Sequence, residues 1–317
     1  MGLLPMGADI LPPSDDRIFK LILTSPEAKQ ALMNLISSII GRTVVDVTLL
    51  PNELALRSTK EKGGRFDVHC KIDDGSQVNL EMQASYIVET LDGLFRNLKG
   101  KSIFYLTGLH SSQPAKGLRR YDWLARTYQI TFCSYTIFPN SQNFVNSFSL
   151  RNDATGELLS DAISLTFVEL SKLGEVLKKS VSDMTDLEKW SVFFRYAPDV
   201  RHREIVNKVI ASKEVFQVAG NLLMSISQSE RERAIYRSRM KFQTDMQSNM
   251  ATAEDNGRER GLAEGLVKGR VEGRAERSFE IARNLLKLNL PLDQIVEATG
   301  LSIEEAERLR IEEGERV

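Results

Sequence analysis

Asp67 and Glu81 are acidic residues in a stretch whose spacing lets them meet. The segment Arg65 to Gln83, RFDVHCKIDDGSQVNLEMQ, alternates apolar and polar residues in both halves. Phe66, Val68, Cys70 and Ile72 interleave with Asp67, His69, Lys71 and Asp73; Val78, Leu80 and Met82 interleave with Asn79, Glu81 and Gln83. A period of two is that of a half-buried strand, and Asp73-Asp74-Gly75-Ser76 is turn chemistry, so the stretch reads as a hairpin. Matching apolar to apolar pairs Ile72 with Val78, Cys70 with Leu80 and Val68 with Met82, through a loop with an odd number of residues or a bulge at Gly75. That register sets Asp67 opposite Gln83 and His69 opposite Glu81. It leaves Asp67 and Glu81 as diagonal neighbours on one polar face, about 5 to 8 Å apart at the backbone. Two carboxylates that close repel, and a divalent cation is the usual relief. Alternation alone favours a plainer reading, a solvated polar face on an edge hairpin.

The elements that would hold this hairpin can be read on either side of it. Pro12, Pro13 and Ser14 lead into a short helix carrying Asp15, Asp16, Phe19 and Lys20, with its acidic residues where the helix dipole favours them. A second helix runs from about Pro26 to Ile40 and stops at Gly41. Thr43 to Leu50 is β-branched and apolar, a first strand. After the hairpin a helix spans about Glu89 to Leu106. The aromatic and β-branched run Thr127 to Phe138, ending at Pro139, is the clearest strand of the chain. Helix, three strands, helix, strand is an α/β order with a right-handed crossover into the last strand. Asn143 to Leu150 and Ala162 to Val168 add candidate edge strands, and residues 169–250 read as helix throughout.

The Asp67 to Glu81-Met82-Gln83 spacing resembles the PD-(D/E)XK nuclease superfamily, in which an Asp leads one strand and Glu-x-Lys or Glu-x-Gln follows on the next. Three flanking motifs narrow the likeness: Asp16-Arg17-Ile18-Phe19-Lys20, Pro51-Asn52-Glu53-Leu54 and Leu80-Glu81-Met82-Gln83. In that order they resemble the Rpn family of recombination-promoting nucleases and transposases, over roughly residues 14 to 140 with a weaker echo in the tail. The resemblance implies an α/β fold with a restriction-endonuclease-like core, a mixed sheet flanked by helices, and a long α-helical C-terminal region. The chain then divides into a lead (1–13), a nuclease-like domain (14–168), a helical extension (169–250) and a Gly-striped tail (251–317).

The implied reaction is metal-dependent endonucleolytic hydrolysis of DNA, promoting recombination or serving a mobile element. Mg2+, with Mn2+ as a substitute, would be held by Asp67, Glu81 and the backbone carbonyl of Met82. Gln83 stands where the superfamily carries Lys; it can orient the attacking water by hydrogen bonding but brings no positive charge. Lys20 and Lys71 are the candidates for that charge, although a solvated strand lysine is the plainer account of Lys71. Asp16 resembles the helix-borne acid that accompanies such sites and is equally a helix N-terminal residue. Arg96 resembles a family arginine for phosphate contact. Arg119, Arg120 and Arg126, near Tyr121 and Trp123, can grip a nucleic-acid backbone or simply form a surface loop.

Composition limits the rivals. In 317 residues, 42% hydrophobic and 27% charged, the formal net charge is −1, so DNA contact must rest on local patches. The two cysteines, Cys70 and Cys133, fall at strand positions and read as reduced core thiols, and the N-terminus carries neither a secretory signal nor a myristoylation motif. No apolar run approaches a membrane span, and the expectation is a cytoplasmic protein. The histidines at 69, 110 and 202 are too scattered for a zinc site or a His-based hydrolase, and no P-loop or dinucleotide fingerprint occurs.

In the tail, Gly257, Gly261, Gly265, Gly269 and Gly273 recur every four residues among charges, which excludes a membrane helix and leaves either a partner-helix stripe or a solvated linker. The last segments look like a helix-turn-helix, but Glu304, Glu305, Glu307, Glu312 and Glu313 repel phosphate, which favours self-association or packing over DNA reading. Two rivals to the nuclease remain. One is a catalytically inactive nuclease-fold module that binds DNA or assembles; the other is a transposase with an RNase H type carboxylate triad, for which no third acid stands out.

Overall fold

The computed structural model describes residues 3–53, 65–84, 91–113 and 124–314. Asp15 starts the first helix, α1 (Asp16–Leu23), by accepting the backbone N–H groups of Arg17 and Ile18, while Ile18, Phe19, Ile22 and Leu23 turn inward. Helix α2 (Lys29–Ile40) stops where Gly41 takes a left-handed φ of 73°. Strand β1 (Val47–Leu49) is shorter than the expected Thr43 to Leu50. The N–H groups of Val44 and Val45 go to the Ser37 hydroxyl and the Asp73 carboxylate, and so are lost to a strand ladder.

Strands β2 (Val68–Ile72) and β3 (Gln77–Gln83) form the expected hairpin in a different register. Val68 pairs with Leu80, His69 with Asn79 and Cys70 with Val78, two residues tighter than the sequence reading. The loop is the cause. Gly75, at φ 86°, brings its N–H to the Ile72 carbonyl (2.8 Å), Ile72 donates to the Ser76 carbonyl (3.0 Å), and Asp74 accepts the Ser76 N–H (2.9 Å). Three loop residues therefore close the turn. A slip of two keeps every side chain on its expected face. It places Asp67, one residue before β2, across from Glu81 instead of diagonal to it, and it moves His69 from Glu81 to Asn79.

Helix α3 (Leu91–Ser111) follows, and β4 (Thr127–Cys133) lies parallel to β3 as a crossover requires. β4 ends at Cys133, short of the expected Phe138, because the N–H groups of Ile137 and Phe138 turn to the buried Glu169 carboxylate. Strands β5 (Val145–Arg151) and β6 (Leu158–Glu169) complete a six-stranded mixed sheet in the order β1-β2-β3-β4-β6-β5. One face of β3 and β4 offers Val78, Leu80, Met82, Ile130 and Phe132 to a large core shared with α1, α2, α4 (Asp186–Tyr196), α5 (Arg203–Ser212) and α6 (Glu214–Gln228). Phe19 meets Phe132 and Phe194 there at 5.7 and 5.2 Å between ring centroids. Each such ring contributes about 1.5–3 kcal/mol by leaving water. The other face carries Asn79, Glu81, Gln129 and Thr131 beneath α3.

Helix α7 (Glu230–Lys287) runs unbroken through the glycine stripe. Two compact units divide the chain, residues 1–244 and 245–317. The second unit has its own small core, in which Ala282 meets Ile295 of α8 (Leu292–Thr299), Leu301, and Leu309 of α9 (Ile303–Gly314).

Candidate active site

Asp67 is held by the residues before it. Asn52 accepts the Phe66 N–H through its carbonyl (2.7 Å) and donates its side-chain amide to the Phe66 carbonyl (3.4 Å). Phe66 is buried edge-on against Tyr105 of α3. The Pro51 carbonyl meets His69 Nδ1 at 2.8 Å. The Pro51-Asn52-Glu53 motif is thus the clasp that fixes the entry to β2, and Leu54 lies outside the described residues. Asp67 closes the clasp on the other side: its Oδ2 accepts the N–H of Met82 (2.9 Å), and its own N–H goes to Glu81 Oε1 (3.2 Å).

Glu81, 2% exposed, is held on every side. Asn79 donates to its Oε1 (3.2 Å), and Lys101 of α3 donates to its Oε2 (3.0 Å). Behind Asn79 a buried polar chain continues to Gln129 (2.8 Å), to Thr131 (3.2 Å) and to Ser102 of α3 (3.3 Å). Burial first, and the charge of Glu81 second, push the Asp67 carboxyl up to about 7, against the pull of the Met82 N–H and of Lys101. The Lys101 ammonium is held above its ordinary value: burial works against it, and the Glu81 carboxylate outweighs that.

Asp67 opens into a cavity of about 660 Å3 lined also by Gln83, Met82, Arg65 and Lys101, by Asp16, Arg17 and Lys20 of α1, and by Arg239 and Gln243 of α7. Glu81 lies just beneath this floor. The structure therefore brings together Asp67, Glu81, Met82, Gln83, Asp16 and Lys20 among the residues singled out by sequence. Lys71 and Arg126 are not brought there. Lys71 is solvent-exposed at the far end of β2, next to Gln77, and Arg126 precedes β4 at that same end, paired with Asp161. Arg96 falls within α3, with no side-chain description; Arg119 and Arg120 lie outside the described residues.

Lys101 was not singled out by sequence, and the signal was present. Leu98, Ser102, Tyr105, Leu106 and Leu109 mark the inward face of α3, and Lys101 falls beside them, a cation at a half-buried helical position. Arg239 gave no such signal, since only the docking of α7 against α1 brings it near.

The donors fit a hard oxygen-seeking cation better than a zinc cage. Among the described residues no group of three or more His, Cys, Asp or Glu side chains is placed to hold a metal ion. A carboxylate at the floor of a cavity with a second one just beneath it suits a cation that takes one or two carboxylates and completes its shell with water and phosphate, as Mg2+ does. Among the described residues β2 offers Met82 no ladder partner beyond Val68, and the Met82 N–H goes to Asp67 instead, so by strand geometry the Met82 carbonyl is the third candidate oxygen.

A family model described as PD-(D/E)XK nuclease family transposase matches residues 13–253. No curated protein and no solved structure matches the chain.

Proposed function

Because the chain belongs to the PD-(D/E)XK nuclease family transposases, whose members are nucleases that generally use divalent metal ions, we propose that it is a Mg2+-dependent DNA endonuclease acting through Asp67 and Glu81. The observation that carries this reading is the carboxylate pair itself, Glu81 buried and Asp67 half-buried, with the Asp67 carboxyl pushed up to about 7 at the floor of a cavity rimmed by Arg17, Lys20, Arg65, Lys101 and Arg239. Like charge gathered out of water costs stability, and a site that keeps it does so to hold something positive.

Asp67, Glu81 and the Met82 carbonyl would hold the ion. Once bound, Mg2+ or Mn2+ lowers the pKa of its water and neutralises charge on the phosphate. Gln83 orients the attacking water through its amide. Lys101 stands where it supplies the positive charge that Gln83 lacks, while its bond to Glu81 fixes that carboxylate in place. Asn79 fixes the same carboxylate from the strand side. Asp16 and Lys20 are supporting groups on the α1 rim. The cations on the rim attract the DNA backbone that a near-neutral chain would otherwise not draw. We also assign to this activity a role in recombination or a mobile element, and to the tail, residues 251–317, a role in self-association.

Nicking of supercoiled plasmid with Mg2+, Mn2+, Ca2+ or EDTA tests this reading. Nicks that need Mg2+ or Mn2+ and vanish in EDTA are expected. DNA binding without cleavage under any metal would move the chain to the other reading, an inactive nuclease-fold module that binds DNA.

A further inference from the structure

Helix α7 contributes a wall to the same cavity. Ile235, Arg239 and Gln243 recur every four residues, which puts them on one helix face, and all three line the cavity with Asp67, Gln83 and Lys101. The helix is fastened one to two turns earlier: Glu232 takes a two-pronged bond from Arg17 (2.8 and 2.9 Å), and Arg233 bonds the Ser227 carbonyl (2.9 Å) and the Asp9 carboxylate. Arg239 is therefore not the only tie of α7 to α1.

Its guanidinium is drawn to the α1 rim, where it donates to Asp15 (3.2 Å) and Asp16 (2.5 Å). Beside it, Gln243 Oε1 is buried with no hydrogen-bond partner among the described residues. An arginine fork matches two phosphate oxygens as well as it matches carboxylate.

We propose that Arg239 is a substrate-binding residue that takes a backbone phosphate beside the scissile one, with Gln243 adjoining as a neutral polar contact. The proposal rests on the nuclease reading and extends it, since it gives α7, outside the sheet and its covering helices, a direct hold on the nucleic acid.

The test is anisotropy titration of a fluorescent 20-nucleotide strand and its duplex with full-length protein in EDTA, repeated over a range of KCl. Arg239→Gln and Arg239→Met, which keeps the packing of the stem, are compared with wild type and with Glu232→Gln, which cuts the neighbouring α1–α7 tie. Circular dichroism checks that each is folded. Losing one phosphate contact lowers the slope of log affinity against log salt by about 0.7 for the strand or about 0.9 for the duplex. Either Arg239 variant is expected to show that drop and about tenfold weaker binding at low salt, while Glu232→Gln keeps the wild-type slope. A wild-type slope in a folded Arg239 variant, or the same drop in Glu232→Gln, overturns the proposal and leaves the nuclease reading standing. Wild type that binds neither DNA at any salt also overturns the proposal, while the nuclease reading stands or falls by plasmid nicking with metal.

Discussion

Replacing Asp67 by Asn should make the protein more stable, and by an amount that grows with pH. In the unfolded chain Asp67 ionises near 3.8; in the fold, burial and Glu81 push it up to about 7. Between those values the folded state holds the extra proton, so the stability this group contributes is complete below about pH 4 and is lost as pH rises towards 7. At about 1.4 kcal/mol per pH unit the full penalty for ionising Asp67 in the fold approaches about 4 kcal/mol, and about 2 to 3 kcal/mol of it develops between pH 5 and pH 8. Asn carries no charge and offers Oδ1 to the Met82 N–H, so it removes the penalty while keeping the bond. The assay is chemical denaturation of wild type and Asp67→Asn in EDTA at several pH values. The variant's advantage should widen over that window, and saturating Mg2+ should narrow it again by stabilising wild type alone. Parallel stability curves for the two proteins, or a variant less stable than wild type at pH 8, would refute the claim that the fold stores like charge at Asp67.

Lys101→Met keeps the stem packed and removes the charge; cleavage should fall about 100-fold, and the acidic limb of its pH–rate profile should move upward, because Lys101 holds the Asp67 carboxyl down. Gln83→Lys in that background should restore part of the rate, which a pH–rate series on both variants would show. Asn79→Leu removes a donor to Glu81 from a fully buried network and should cost about 1 to 3 kcal/mol in urea denaturation, since it leaves Gln129 without its donor. Gly75→Ala forces a side chain to φ 86° and should cost about 1 to 2 kcal/mol by the same measurement, while cleavage by the folded fraction is unchanged.

Much of this site is legible in the sequence. Alternation located both strands and the face of every residue in the hairpin, because a pleat has one period and tolerates a slip of two residues without turning a side chain over. The slip itself was not legible: apolar matching is satisfied equally by either register, and the choice was made by three hydrogen bonds around Gly75. Strand ends were misjudged for a related reason. Tyr135, Ile137 and Phe138 have strand propensity, but the buried Glu169 carboxylate claims two of their backbone donors. Lys101 was readable as a lysine on an inward helical face. Arg239 was not, since its place depends on how α7 docks far along the chain, a contact that no local pattern encodes.

On the proposed reading, Asp67 and Glu81 form one metal-dependent cleaving site. Rates of plasmid nicking by wild type, Asp67→Asn and Glu81→Gln, each checked for folding and titrated with Mg2+, test it most directly. Both variants are expected to lose cleavage by several orders of magnitude at every Mg2+ concentration while remaining folded. Cleavage that persists near the wild-type rate in either folded variant would contradict it.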